Sequence, residues 1–235
     1  MRESLLTIPV NEVFEPQEGE DKPLGCPLCR MRDKVEGHVC EYIMGAAMME
    51  PDVREETNKL GFCTTHYPML AKQGNRLSLA LMLNSHLAVT RRKIFGNPVL
   101  FSKTSKAKRA EAVTETCFVC AKVDWGINHM LKTVFTLFEK ERVFRELFSS
   151  QEYFCLPHYH LLATKSEQMS KNARAEFLKT LNAVVSEYAK QLNINVSDFC
   201  DSFDYRNAGK LHSPEMEHVR VSPQKAVKFL TGREL

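Results

Sequence analysis

Six cysteines and two histidines of this 235-residue chain fall into a pattern that is written twice. Cys26-Pro27-Leu28-Cys29 is followed by Phe62-Cys63-Thr64-Thr65-His66-Tyr67. Cys117-Phe118-Val119-Cys120 is followed by Phe154-Cys155-Leu156-Pro157-His158-Tyr159. Each copy reads C-x2-C, then aromatic-C-x2-H-Tyr. The gap from Cys29 to Cys63 is 34 positions, that from Cys120 to Cys155 is 35, and the copies start 91 positions apart. Thiolate and imidazole are the donors that zinc favours, four to an ion in a tetrahedron. A C-x2-C turn brings two sulfurs to one ion, and helix N-terminal amides stabilise their charge. Taken copy by copy, the spacing assigns one zinc site to Cys26, Cys29, Cys63 and His66. It assigns a second to Cys117, Cys120, Cys155 and His158. Three thiolates and one zinc ion sum to −1, so two filled sites take the formal charge from +3 to +1. Four protein ligands leave no open position, which favours a structural role over hydrolysis.

The same residue types also serve other chemistry. A thioredoxin-like redox pair lacks βαβ context, and the Cys-His partner is repeated. Iron–sulfur ligation by three Cys and one His is chemically allowed. A catalytic Cys63-His66 dyad would have to occur twice. The nucleotide, metalloprotease and hydrolase signatures G-x-G-x-x-G, G-x4-G-K-[ST], H-E-x-x-H and G-x-S-x-G are absent. His38 and His129 occur nine residues beyond the second cysteine of each pair, about 13.5 Å along a helix. That reads as partly buried histidine rather than a ligand. Cys40 aligns with Leu131 and reads as core, and Cys200 has no counterpart in the repeat. Trp125, one turn beyond Cys120, is a packing residue or a shield for the second site.

The elements that must position these residues are helical. Residues 28–49 carry Met31, Val35, His38, Tyr42 and Met49 at helical spacing until Glu50-Pro51-Asp52. Residues 76–94 repeat the pattern with Leu77, Leu81, Asn84, Ala88 and Arg91. In the second copy Ile127, Met130, Val134 and Leu137 form one stripe. Phe177, Leu181, Val184, Tyr188 and Leu192 form another. Short helices are expected at 52–60, 67–72 and 159–164, and 192–196 is short enough to read as extended. No stretch alternates with period two over strand length.

The fold class expected is therefore all-α: duplicated zinc-stapled helical hairpins packed as a helical bundle, with a C-terminal helical extension. The copies span 22–96 and 113–195, joined by a basic linker at 97–112. Residues 196–235 form the extension, with a helix opening at Ser222-Pro223, serine capping, and ending before Gly232. Asp198, Asp201 and Asp204, with Tyr205 and Arg206 beside them, read as a salt-bridged helix rather than a calcium loop.

Lys plus Arg is 32 against 29 Asp plus Glu, a mixed balance that excludes a fibrous, wholly disordered or histone-like chain. The seven basic side chains of 91–109 leave nucleic-acid binding open, although stacking aromatics there are only Phe95 and Phe101. The opening Met1-Arg2-Glu3-Ser4 is not followed by a secretory h-region, and Leu77–Thr90 is too short and polar to span a bilayer. A cytoplasmic protein is expected, with a protein partner that the sequence leaves unknown and no membrane association.

Several segments carry a resemblance. Leu6-Thr7-Ile8-Pro9-Val10, Cys26-Pro27-Leu28-Cys29, Glu50-Pro51-Asp52-Val53-Arg54 and Gly61-Phe62-Cys63 with His66 are among them. So are Phe154-Cys155 with His158, Phe203-Asp204-Tyr205-Arg206 and Lys228-Phe229-Leu230-Thr231-Gly232. With these the chain resembles an uncharacterised bacterial family, common in clostridia and known only as a domain of unknown function. The resemblance covers nearly the whole chain and implies a cytoplasmic protein with paired cysteine motifs, without an activity to carry over. The chain departs from it near Lys210-Leu211, where family members carry a tryptophan. The functional expectation is a non-enzymatic zinc-binding adaptor or regulator. A thiol-redox or metal-responsive protein is the first alternative, a nucleic-acid-binding protein the second.

Overall fold

The C-x2-C pairs start helices, as the sequence predicts. Cys26 precedes α2 (Pro27–Met44) and Cys117 precedes α7 (Phe118–Lys140). The structure is a computed structural model that describes residues 6–96, 104–204 and 213–234. Among these it is all-α, with no strand.

The duplication extends to the elements. After α2 come α3 (Pro51–Leu60), α4 (His66–Lys72) and α5 (Arg76–Phe95). After α7 come α8 (Arg142–Ser149), α9 (Leu156–Lys165) and α10 (Lys171–Asp201). Each copy is thus a long helix, two short ones and a long one. Three further elements flank the copies: α1 (Thr7–Phe14), α6 (Lys106–Thr114), and the C-terminal pair α11 (Glu217–Arg220) and α12 (Ser222–Thr231). Helices α1 and α8 are not legible as apolar stripes in the sequence, being only eight residues each. Residues 192–196 are helix, not extended, because α10 runs on to Asp201. Ser222 does not cap α12: it is the first helical residue, and its buried hydroxyl has no hydrogen-bond partner among the described residues. Residues 97–103 of the basic linker lie outside the described residues, and 106–114 form α6. Tyr205, Arg206 and Lys210-Leu211 also lie outside them.

The chain divides into two compact units that do not coincide with the two sequence copies. One unit is Met1–Met31 with Ile127–Leu235, and the other is Arg32–Gly126. Helix α2 begins in the first unit and continues into the second, and α7 does the reverse. The first unit is built on phenylalanines. Phe148, fully buried, has its ring centroid 4.7 Å from Phe154, 4.9 Å from Phe177 and 5.3 Å from Phe138. Phe14 of α1 closes the cluster 5.0 Å from Phe144, and buried Gln151 donates to its carbonyl oxygen at 2.7 Å. Such ring pairs add about 0.5–1.5 kcal/mol each beyond their buried area. Phe229 of α12 rests on Tyr188 at 5.5 Å, and Tyr188 stacks on Tyr153 at 4.2 Å, so the extension docks on α10.

In the second unit α5 packs on α3 by an unexpected face. The stripe of Leu77 and Leu81 faces solvent, while Ser78, Met82 and His86 are buried. Polar complementarity decides this. The Ser85 hydroxyl donates to Asn58 Oδ1 at 2.8 Å and accepts from Arg54 at 2.7 Å. His86 Nδ1 lies 3.1 Å from the Asn58 carbonyl oxygen. A buried histidine with these partners has no comparable ones on the leucine side. The His86 ring also needs the space over Gly61, where a Cβ would come within 2.7 Å of it.

Candidate metal centres

Each cysteine motif is shaped by the start of a helix. The amide of Cys29 donates to the Cys26 carbonyl oxygen at 3.1 Å, and that of Cys120 reaches Cys117 Sγ at 3.5 Å. His66 opens α4, its amide donating to the Cys63 carbonyl oxygen at 3.1 Å. Cys155 is the residue before α9, which His158 joins in its first turn. Helix N-terminal amides therefore face the sulfurs, the arrangement that stabilises thiolate.

The structure gathers all eight residues into two clusters, each with its four donor atoms within 4.8 Å of one another, but it exchanges the halves. Cys26 and Cys29 join Cys155 and His158. Cys63 and His66 join Cys117 and Cys120. The copy-by-copy assignment of Cys26, Cys29, Cys63 and His66 to one site, and of Cys117, Cys120, Cys155 and His158 to another, is overturned. Helix length is the reason. The 18 residues of α2 carry the chain about 27 Å, and the 10 residues of α3 recover at most about 15 Å. The 23 residues of α7 span about 35 Å, and the 8 of α8 about 12 Å. The short helix of each copy retraces only part of its long one, which favours pairing each C-x2-H with the other copy's C-x2-C. In the second unit the two turns are sewn together directly. The Phe118 amide donates to the Gly61 carbonyl oxygen at 2.9 Å and the Thr116 hydroxyl to that of Leu60 at 2.7 Å.

The distances match a tetrahedral ion. Zn–S of about 2.3 Å and Zn–N of about 2.0–2.1 Å imply S···S edges of about 3.75 Å and S···N edges of about 3.5 Å. In the first cluster Cys29 and Cys155 sulfurs are 3.6 Å apart, and His158 Nδ1 is 3.1–3.5 Å from the three sulfurs. In the second, Cys63 and Cys120 sulfurs are 3.8 Å apart, and His66 Nδ1 is 3.1–3.4 Å from its three. A disulfide needs about 2.05 Å, and none of the eight cysteines is in one.

The two clusters differ in their surroundings. Cys26, Cys29, Cys155 and His158 are all buried, and the Gly232 carbonyl oxygen at the end of α12 lies 3.5 Å from Cys29 Sγ. Burial pushes the Cys26 thiol up to about 12. The Cys155 thiol is lowered by its contact with Cys26, but Cys29 and burial outweigh this and raise it to about 12. Without a cation these thiols stay protonated at neutral pH, and a divalent ion would displace the protons. In the second cluster Cys63 and Cys120 are half-buried. Burial raises the Cys117 thiol, yet hydrogen bonds from His66 and neighbouring amides prevail and lower it, while burial first and the Cys117 charge second push Cys120 up.

Sequence reasoning missed Glu36, which is buried with its Oε1 3.3 Å from His66 Nε2. Its signal was a carboxylate one residue from Val35 in an otherwise apolar stripe. The repeat puts Ile127 at the equivalent position. His38 is exposed and His129 half-buried, and neither joins a cluster. Cys40 is buried core, Cys200 is exposed, and Trp125 is 64% exposed rather than a shield. No helix among the described residues is long and apolar enough to cross a membrane.

The family model described as a family of unknown function (DUF6062) matches residues 1–234. No curated protein and no solved structure matches the chain.

Proposed function

This chain belongs to DUF6062, a family of unknown function, and from that premise we propose that it is a zinc-stapled adaptor. Cys26, Cys29, Cys155 and His158 would hold one ion, and Cys63, His66, Cys117 and Cys120 the other. The observation that carries this reading is that each cluster brings three sulfurs and one imidazole nitrogen within 4.8 Å of one another, with four of the six edges at 3.1–3.8 Å, a closed set with no position left for substrate. Zinc rather than a redox metal suits a set that must neutralise three clustered thiolates and fix helix ends. The reading places the protein in a reducing compartment, the cytoplasm, where such thiols persist. Its activity would be binding rather than catalysis.

Mass spectrometry of untagged protein purified without chelator tests it. Two zinc ions per chain, with six thiols shielded until unfolding, are expected. Protein that folds metal-free with six reactive thiols would sink it.

A metal-responsive role for the second cluster is the other reading, favoured by the half-buried Cys63 and Cys120. On that reading a two-electron oxidant such as a peroxide joins the Cys63 and Cys120 sulfurs in a disulfide and zinc leaves this cluster; a thiol reductant restores both thiolates and zinc returns, while the first cluster stays filled.

A further inference from the structure

Helix α5 turns a continuous seam to solvent. Leu77, Leu81, Asn84, Ala88, Arg91 and Phe95 follow one another at intervals of four, three, four, three and four, and all six are exposed. Leu77 is 70% exposed and Phe95 65%. The seam cannot rotate inward, because Ser85 and His86 on the other side are bonded to Asn58 and Arg54 of α3. A repeat of alternating three and four is the one that keeps a single stripe against a second helix along its length.

The charge around this seam is one-sided. From Thr57 to Ala110 the chain holds ten Lys and Arg and no Asp or Glu. Arg91, Arg92 and Lys93 close α5, and Lys106 and Lys108 open α6. None of these five pairs with an acid among the described residues.

We propose that the exposed seam of α5 docks an amphipathic helix of a partner protein, one that carries apolar residues at matching intervals and Asp or Glu opposite Arg91 and Arg92. The inference rests on the adaptor reading and names the class of its partner. A second copy of this chain is a poor occupant. An antiparallel pair would set Arg76 against Arg91 and Arg92, and a parallel pair would stack Arg91 on itself, with no acid in the segment to relieve either. A bilayer selects the width of an apolar face and not its register, whereas Asn84 and Arg91 in the seam specify one polar and one acidic partner residue. Nucleic acid would engage the basic end and leave Leu77 and Leu81 unused.

The test is selection of a displayed library of helical peptides on the full zinc-loaded chain. Enrichment of peptides with apolar residues every three or four positions and acidic flanks is expected. The synthesised winner should bind Leu81→Glu at least about tenfold more weakly, and Arg91→Glu should come to prefer the same peptide with Lys for Glu. Both variants are at exposed positions, and each should still carry two zinc ions. No enrichment, or binding indifferent to both variants, overturns the proposal. So does seam-dependent binding to phosphatidylglycerol vesicles or duplex DNA in place of peptide, or self-association through the seam in sedimentation. Zinc bound without peptide binding defeats the docking site alone, and peptide binding without zinc defeats the staples alone.

Discussion

Glu36 Oε1 lies 3.3 Å from Nε2 of His66, with 3% and 1% of the two side chains exposed. The imidazole's other nitrogen, Nδ1, is the one turned to the three sulfurs. A carboxylate behind a ligating histidine fixes its tautomer and ring orientation and raises its basicity. Replacing Glu36 by Gln keeps the shape and removes the charge. The expected outcome is a loss of about 10–100-fold in zinc affinity at one site of two. The site containing His158 should be unchanged, since Ile127 occupies the equivalent position in its copy. Competition with a chromophoric chelator measures both constants in one titration. Two unaltered constants would show that the carboxylate only fills space.

On the zinc-staple proposal, exposure sets the order in which the two ions leave. A chelator must reach a ligand as it dissociates, and Cys63 and Cys120 are half-buried while the other cluster is wholly buried beneath α12. Zinc release should therefore be biphasic, one equivalent fast and one slow. Cys120→Ser should abolish the fast phase and Cys29→Ser the slow one. A single phase of two equivalents would contradict the difference in burial.

The exchange of halves predicts which disulfides form once metal is stripped. Oxidant present while a chelator withdraws metal from the folded protein should trap sulfurs already in contact, Cys29 with Cys155 and Cys63 with Cys120, before the chain opens. Peptide mapping by mass spectrometry identifies the pairs. Recovery of Cys29 with Cys63, and Cys120 with Cys155, would restore the copy-by-copy arrangement.

That arrangement was the natural one to read from the residues. Motif chemistry says which atoms can share an ion and nothing about which halves meet. Gaps of 34 and 35 are equally compatible with either pairing. The mismatch in length between α2 and α3, and between α7 and α8, favours the exchange, and it depends on where helices stop. The long helices themselves were legible because their apolar residues recur over about three turns or more. The face α5 buries was not. Its leucines recur at helical spacing and read as a core stripe, yet Asn58 and Arg54, distant in sequence, bond Ser85 and His86 on the other face instead. Glu36 was hidden for the same reason: a lone carboxylate on a helix reads as surface until the histidine it faces is known.

Gly61 joins these two features, and its replacement tests them together. Its φ of 62° and ψ of −155° lie in a region that side chains other than glycine's rarely enter. An added Cβ would also come within 2.7 Å of the His86 ring. Its carbonyl oxygen accepts from Phe118, beside Cys117, so any shift is transmitted to the cluster containing Cys63 and His66. Gly61→Ala should destabilise the zinc-loaded protein by about 1–3 kcal/mol through the backbone, with the clash adding to it. His86→Ala removes the clash but leaves the conformation unfavourable. In a double-mutant cycle read by urea denaturation, the pair should therefore cost less than the sum of the two single changes. Full additivity would mean that the ring does not press on Gly61 and that α5 is held to α3 by other contacts.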